Sequence, residues 1–132
     1  MKHWVIDTNV VVSGLLVDRG YPAQLINAVA DGEVKIVYDA RIFSEYREVL
    51  NRSRLQITPT KIAHFLALLR SQELVLASHR LRAGPDLADL MFIEVALSTR
   101  QKTIVTGNLR DFPRSIRHGV RIISPTQAVA EL

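Results

Sequence analysis

Asp7 closes the apolar run Trp4-Val5-Ile6, and a carboxylate in that place is costly unless something neutralises it. The chain has only thirteen acidic residues, so each can be weighed by position. Asp7 ends a predicted strand. Glu45 falls in a predicted helix, Asp86 and Asp89 open another, and Asn108 and Asp111 follow a later strand. Carboxylates at strand ends and helix starts converge on one edge of a parallel sheet, and several cannot share a pocket ionised without a counter-charge. The chain has no cysteine, and its four histidines show no ligand spacing. The donor set is therefore oxygen-rich, which selects Mg²⁺ or Mn²⁺. One or two such ions suit in-line attack of water on a phosphodiester. Asp39 is expected only to cap a helix, and Glu48 is a solvated alternative to Glu45.

The elements that must position these groups alternate. Strands are predicted at His3–Ile6, Val34–Tyr38, Leu74–Leu76, Thr103–Thr106 and Val120–Ile123, where β-branched and apolar residues concentrate. Thr8-Asn9 is expected to be the turn that ends the first strand. Helices are predicted over Val10–Leu16, Pro22–Ala30 and Arg41–Leu50, from Thr58-Pro59 onward, over residues 89–99, and after Pro125. Gly107–Asp111 is expected to be a turn. Strands separated by helices imply right-handed crossovers and a mostly parallel, helix-covered α/β sheet.

Composition sets outer bounds. A chain of 132 residues suits one domain over 1–132 with a single core. Its hydrophobic share of 48% argues against disorder. The absence of cysteine excludes disulfides, thiolate zinc sites and cysteine nucleophiles. No apolar stretch approaches membrane-spanning length and no signal peptide is evident, so a cytoplasmic protein is expected. A net charge of +4 tilts toward an anionic partner, nucleic acid first. Arg110, Arg114, Arg117, His118 and Arg121 cluster near Asp111. Arg52, Arg54 and Lys61 follow the Glu45 helix, and Arg80 and Arg82 precede Asp86. Such groups hold phosphates if they rim the acidic pocket and otherwise form a solvated face.

The segments Val5–Leu16, Glu45-Tyr46, Asp86–Phe92 and Val105–Asp111 resemble, in order, the four acidic motifs of PIN-domain nucleases. The resemblance covers essentially the whole chain. It is strongest to small stand-alone PIN proteins of the VapC type, the toxins of toxin–antitoxin pairs. It implies a three-layer αβα sandwich with a five-stranded parallel sheet and an acidic pocket for Mg²⁺ or Mn²⁺. It also implies endonuclease action on RNA, a cognate antitoxin and a homodimer. Carried over, Asp7, Glu45, Asp89 and Asp111 form the catalytic set. Asp7 and Asp89 are the direct metal ligands, Asp111 holds a second ion or a metal-bound water, and Glu45 orients or deprotonates the attacking water. Asn9, Asp86, Thr106 and Asn108 support them. Apart from the resemblance, Arg82, Arg110 and Arg114 are the basic residues expected to contact RNA. The third motif departs from the subgroup's Asp-Pro-x-Asp-Asp-Lys-Phe pattern at Leu87, Leu90 and Met91, and Asn108 stands where many members have Asp. The implied pocket is less negative than those of some relatives, and the first metal is better provided for than the second.

Two other classes compete. A haloacid-dehalogenase-type phosphatase has a second Asp two residues after its nucleophile, where this chain has Asn9, and a receiver-like phosphoacceptor lacks support for the same kind of reason. A catalytically weak PIN-like module that binds RNA or protein is the stronger alternative, favoured by Leu90 and Asn108.

Overall fold

A computed structural model describes residues 1–77, 81 and 87–132, the side chains of 87 and 88 excepted. The strands are β1 (Lys2–Ile6), β2 (Val34–Tyr38), β3 (Glu73–Leu74), β4 (Thr103–Val105) and β5 (Arg121–Ile123). The helices are α1 (Thr8–Leu16), α2 (Tyr21–Ala30), α3 (Ala40–Leu50), α4 (Pro59–Leu68), α5 (Leu87–Leu97) and α6 (Pro125–Ala130). All strand pairings are parallel, in the order β3-β2-β1-β4-β5. Helices flank the sheet in a three-layer α/β sandwich, as the resemblance implies.

The order explains where a ligand would go. From β1 the chain steps outward through β2 to β3, then returns to lay β4 on the other side of β1. Neighbouring connections thus diverge between β1 and β4 and leave a crevice beyond their carboxyl ends. Ile6 pairs with Val105, so Asp7 and Thr106 emerge side by side at that crevice. The Asp7 amide donates to Val105 at 2.9 Å and continues the ladder by one residue.

Burial on both faces accounts for the near-continuous apolar character of the central strands: Trp4, Val5 and Ile6 are fully buried, as are Ile104 and Val105. Local signals start the helices. Asp39 accepts from Ile42 at 3.0 Å, Thr58 caps α4 ahead of Pro59, and Ser124 and Gln127 form a reciprocal capping box on α6. Ile62, Phe65 and Leu69 of and beside α4 turn into the core. Among the described residues, no helix is long and apolar enough to cross a membrane.

Several boundaries differ from expectation. Thr8 and Asn9 are not a turn but the first residues of α1. Asp7 has the extended backbone of an N-cap (φ −63°, ψ 146°), and its carbonyl accepts from Val10 at 3.0 Å. Strand and helix are joined through one residue, so no separate turn is needed. β3 is shorter and earlier than predicted because pairing ends at Tyr38 with Leu74, after which Val75 makes one more bond to Tyr38. α5 runs two residues earlier than expected at each end.

Gly14 is required by packing rather than by backbone conformation. A Cβ there would lie 2.6 Å from Ile26 Cγ1 and 2.9 Å from the Pro22 carbonyl oxygen. Alanine would favour the helix locally but force α1 and α2 apart. Gly14→Ala should lower stability by about 1–2 kcal/mol in urea denaturation. An unchanged or raised midpoint would show that the α1–α2 contact yields freely.

Candidate active site at the β1–β4 crevice

Asp7 is the centre of the site and is almost fully buried, at 6% exposure. Although it occupies the N-cap position of α1, its side chain makes no capping bond to that helix's later amides. The carboxylate instead turns to the crevice. Its Oδ2 accepts the Thr106 hydroxyl at 2.8 Å and the Asn9 amide at 3.1 Å. Asn9 uses its other end to accept the Gly107 amide at 3.0 Å. A close approach at Gly107 permits this: a Cβ would sit 3.3 Å from Asn9 Oδ1. One side chain thus clasps the two loops that leave β1 and β4.

Thr106 carries the connection onward. Its hydroxyl accepts the Asn108 amide at 3.1 Å, and the Asn108 side chain donates to Asp111 at 3.1 Å. Asn108 also caps the short 3-10 turn Leu109–Asp111. The predicted turn over Gly107–Asp111 is therefore a built element that aims Asp111. Asn9, Thr106 and Asn108 anchor it.

Glu45 arrives from α3. Its carboxylate accepts the Thr8 hydroxyl, one residue beyond Asp7. Glu48, one turn away, is exposed and pairs with Arg52 instead. The geometry therefore separates two glutamates that sequence spacing left ambiguous. Tyr46 beside it is fully buried, and its hydroxyl donates to the Ile6 carbonyl, pinning the peptide that leads into Asp7. No side-chain motif predicted that bond.

Asp89 lies half-buried in the first turn of α5. Asp86 and Arg82 lie outside the described residues. Leu90 is buried, and Met91 and Phe92 join the hydrophobic core. Among the described residues, no three His, Asp or Glu side chains stand as a ready-made metal-ligand set.

Electrostatics single out Asp7. Burial raises its pKa from 3.8 to about 6; the Thr106 hydroxyl and the Thr8 amide oppose the rise, and the charges of Asp111 and Glu45 add to it. These are the opposing effects expected of a hydrogen-bonded carboxylate kept from water among like charges. A divalent cation would relieve both the desolvation and the repulsion, and the donors around Asp7 are hard oxygens. The residues present thus fit Mg²⁺ or Mn²⁺ in donor chemistry.

The basic groups sort themselves by partner. Arg121 pairs with Glu131, Arg117 donates to the Phe112 carbonyl at 2.7 Å, and Lys61 holds Asp18 and the Leu15 carbonyl. Arg110 and Arg114 are exposed, and their side chains make no bond among the described residues. Those two, like the exposed Arg54, remain available for an anion. Arg110 and Arg114 stand among the same candidate basic residues as Arg52, Arg117, Arg121 and Lys61, which are occupied; only the fold distinguishes them.

Because the native pKa of Asp7 lies above its ordinary value, the folded chain holds a proton that the unfolded chain releases. The associated stability is present below about pH 4 and is lost as pH rises through about 6. Asp7→Asn should therefore be more stable than wild type at pH 7.5 without divalent metal, by on the order of 2 kcal/mol, and should lose that advantage by pH 4. Urea denaturation at the two pH values checks this. An advantage that does not shrink on acidification contradicts a buried, charged Asp7.

A family model described as PIN domain matches residues 3–110, a span that includes Asp7, Glu45, Asp89 and the Thr106–Asn108 clasp. No curated protein and no solved structure matches the chain. PIN domains are nuclease-type folds that act on nucleic acids, in general with divalent metal ions. The match covers most of the chain and agrees with the parallel sheet and its acidic crevice, and the protein belongs to the PIN-domain family.

Proposed function

We propose that the protein is a metal-dependent endoribonuclease that hydrolyses RNA phosphodiester bonds with Asp7, Glu45, Asp89 and Asp111 as its acidic set. The observation that carries the reading is the buried Asp7 carboxylate, raised by burial and by the charges of Asp111 and Glu45, at the crevice between β1 and β4. Asp7, Asp89 and Asp111 would hold Mg²⁺ or Mn²⁺, which when bound would lower the pKa of a water and offset charge on the phosphate. The chain's own residues prepare the rest. Thr106 and Asn9 hold Asp7 in one orientation, and Asn108 holds Asp111. Glu45, fixed by Thr8, is the group to orient the attacking water or take its proton. Asp86 is assigned a supporting role on sequence alone. Arg110 and Arg114, exposed on and beside the short helix that carries Asp111, are suited to hold flanking phosphates. Arg82 joins them on sequence grounds.

The wider role follows from resemblance to stand-alone PIN toxins: a cytoplasmic toxin of a toxin–antitoxin pair, acting as a homodimer and restrained by a cognate antitoxin. A second reading is a catalytically weak PIN-like module that binds RNA or protein. It is favoured by Leu90, which is buried and takes no part in the crevice, and by the absence of a preformed ligand set among the described residues.

Cleavage of single-stranded RNA with and without Mn²⁺ separates the readings. Wild type should cut only with metal, and Asp7→Asn and Asp111→Asn should each lose at least about a hundredfold in rate. Equal cleavage by wild type and Asp7→Asn would remove the assignment. Mn²⁺ should also raise the melting temperature of wild type and leave that of Asp7→Asn unmoved.

Arg110→Ala and Arg114→Ala test the phosphate contacts through salt. Each lost contact should flatten the log–log salt dependence of RNA binding by about 0.7. A slope equal to that of wild type would return both residues to the solvated face.

A further inference from the structure

Glu94 is a buried carboxylate that the acidic crevice does not employ. It lies on α5 at 4% exposure, and both of its oxygens are engaged. One accepts Arg41 Nη1 at 2.6 Å, and the other accepts the Leu81 amide at 2.7 Å. Arg41 is gripped a second time by Asp39, to which Nε and Nη2 both lie at 2.8 Å. Asp39 in turn caps α3 through Ile42. Burial works against the Arg41 charge, and the bonds to Glu94 and Asp39 outweigh it, so its pKa is raised. The sequence showed Asp39 as a helix cap and gave no sign of Glu94.

The placement of these ties gives them meaning. Arg41 and Glu45 are four residues apart and share one face of α3. Along that face Arg41 reaches α5 and Glu45 reaches Thr8 at the start of α1. Glu94 sits on the helix whose first turn carries Asp89, and it also fixes the chain at Leu81, five residues before Asp86 in sequence. The pair therefore joins the helix that presents the second acidic motif to the helix that presents the third. Apolar packing could hold two helices together equally well, but it tolerates sliding. A guanidinium fork held by two carboxylates fixes both distance and rotation.

We propose that Arg41 and Glu94 are a positioning pair for phosphodiester cleavage, setting where Glu45 and Asp89 stand relative to Asp7. The inference rests on the nuclease reading above, and its test keeps the two apart.

Replacing both members with apolar residues separates positioning from stability. Glu94 is buried while the Arg41 side chain is 39% exposed; exchanging an ion pair with a buried carboxylate for apolar residues often leaves stability intact, whereas removing one partner leaves the buried charge unpaired. The double variant Arg41→Met/Glu94→Leu is expected to recover most of the urea midpoint lost by Glu94→Leu alone. Its kcat for Mn²⁺-dependent RNA cleavage should still fall about tenfold or more, with KM within about twofold. Arg41→Lys, which keeps the charge and loses the fork, should retain an intermediate kcat. In the same variants the Leu81 amide and the amides of the second turn of α5 should exchange faster with deuterium than in wild type. If kcat returns with stability in the double variant, the pair is structural only and the proposal is overturned. If the double variant does not fold, Glu94→Gln is judged by the same kcat and exchange criteria. If wild type cuts no better than Asp7→Asn, the nuclease reading fails. Exchange then decides the positioning of the helices, and unchanged protection at Leu81 and in α5 overturns it.

Discussion

The Asp7 carboxylate is held out of water where β1 and β4 diverge, and the arrangement of the site follows from the cost of keeping it there. A buried carboxylate must be hydrogen-bonded, neutralised or paired. Here Thr106 and Asn9 supply hydrogen bonds from the two sides of the crevice, and Asp111 and Glu45 supply like charge rather than relief. The result is a carboxyl group with its pKa raised to about 6, in a protein whose hydrophobic core runs directly up to it. A group kept in that condition is poised to gain from a cation, and this links the fold's topology to the chemistry expected of a PIN domain.

Rigidity enters through shared residues. Asp7 ends a strand and begins a helix, so it has little freedom to move with a loop. Asn9 belongs to α1 yet bonds to both Asp7 and Gly107. Thr106 bonds to Asp7 and receives Asn108, which holds Asp111. Tyr46 fixes Ile6 from beneath. Each bond is modest in isolation, but together they fix a crevice that would otherwise be free to open against its own negative charge. The Arg41–Glu94 tie extends the same logic from the loops to the helices, using a charged pair where orientation matters more than adhesion.

Much of this was legible in the sequence because the signals were local. The β-branched run before Asp7, Asp39 as a cap and Pro59 and Pro125 in first helical turns each act through neighbouring residues, and those elements appear close to where they were expected. Thr8-Asn9 departs from expectation for a related reason. Both residue types favour turns, but at this junction the N-cap geometry of Asp7 lets the helix start at once. Glu94 was missed because a glutamate inside an apolar helical stretch gives no indication of what it faces. Its partners lie 53 and 13 residues away. Arg110 and Arg114 could not be told from Arg117 and Arg121 for the same reason: a charge is free or occupied only by virtue of distant neighbours.

The sequence by itself determined the alternation of strands and helices, the oxygen-rich character of the donor set and the order of the acidic motifs along the chain. Residue type, periodicity and composition carry those properties without reference to contacts. Tertiary structure decided which groups meet. It put Thr106 on Asp7, chose Glu45 over Glu48, turned Leu90 into the interior and spent Arg41 on Glu94. Burial and long-range hydrogen bonding exist only once β4 has returned beside β1, so the raised pKa of Asp7, on which the functional reading rests, is a property of the fold.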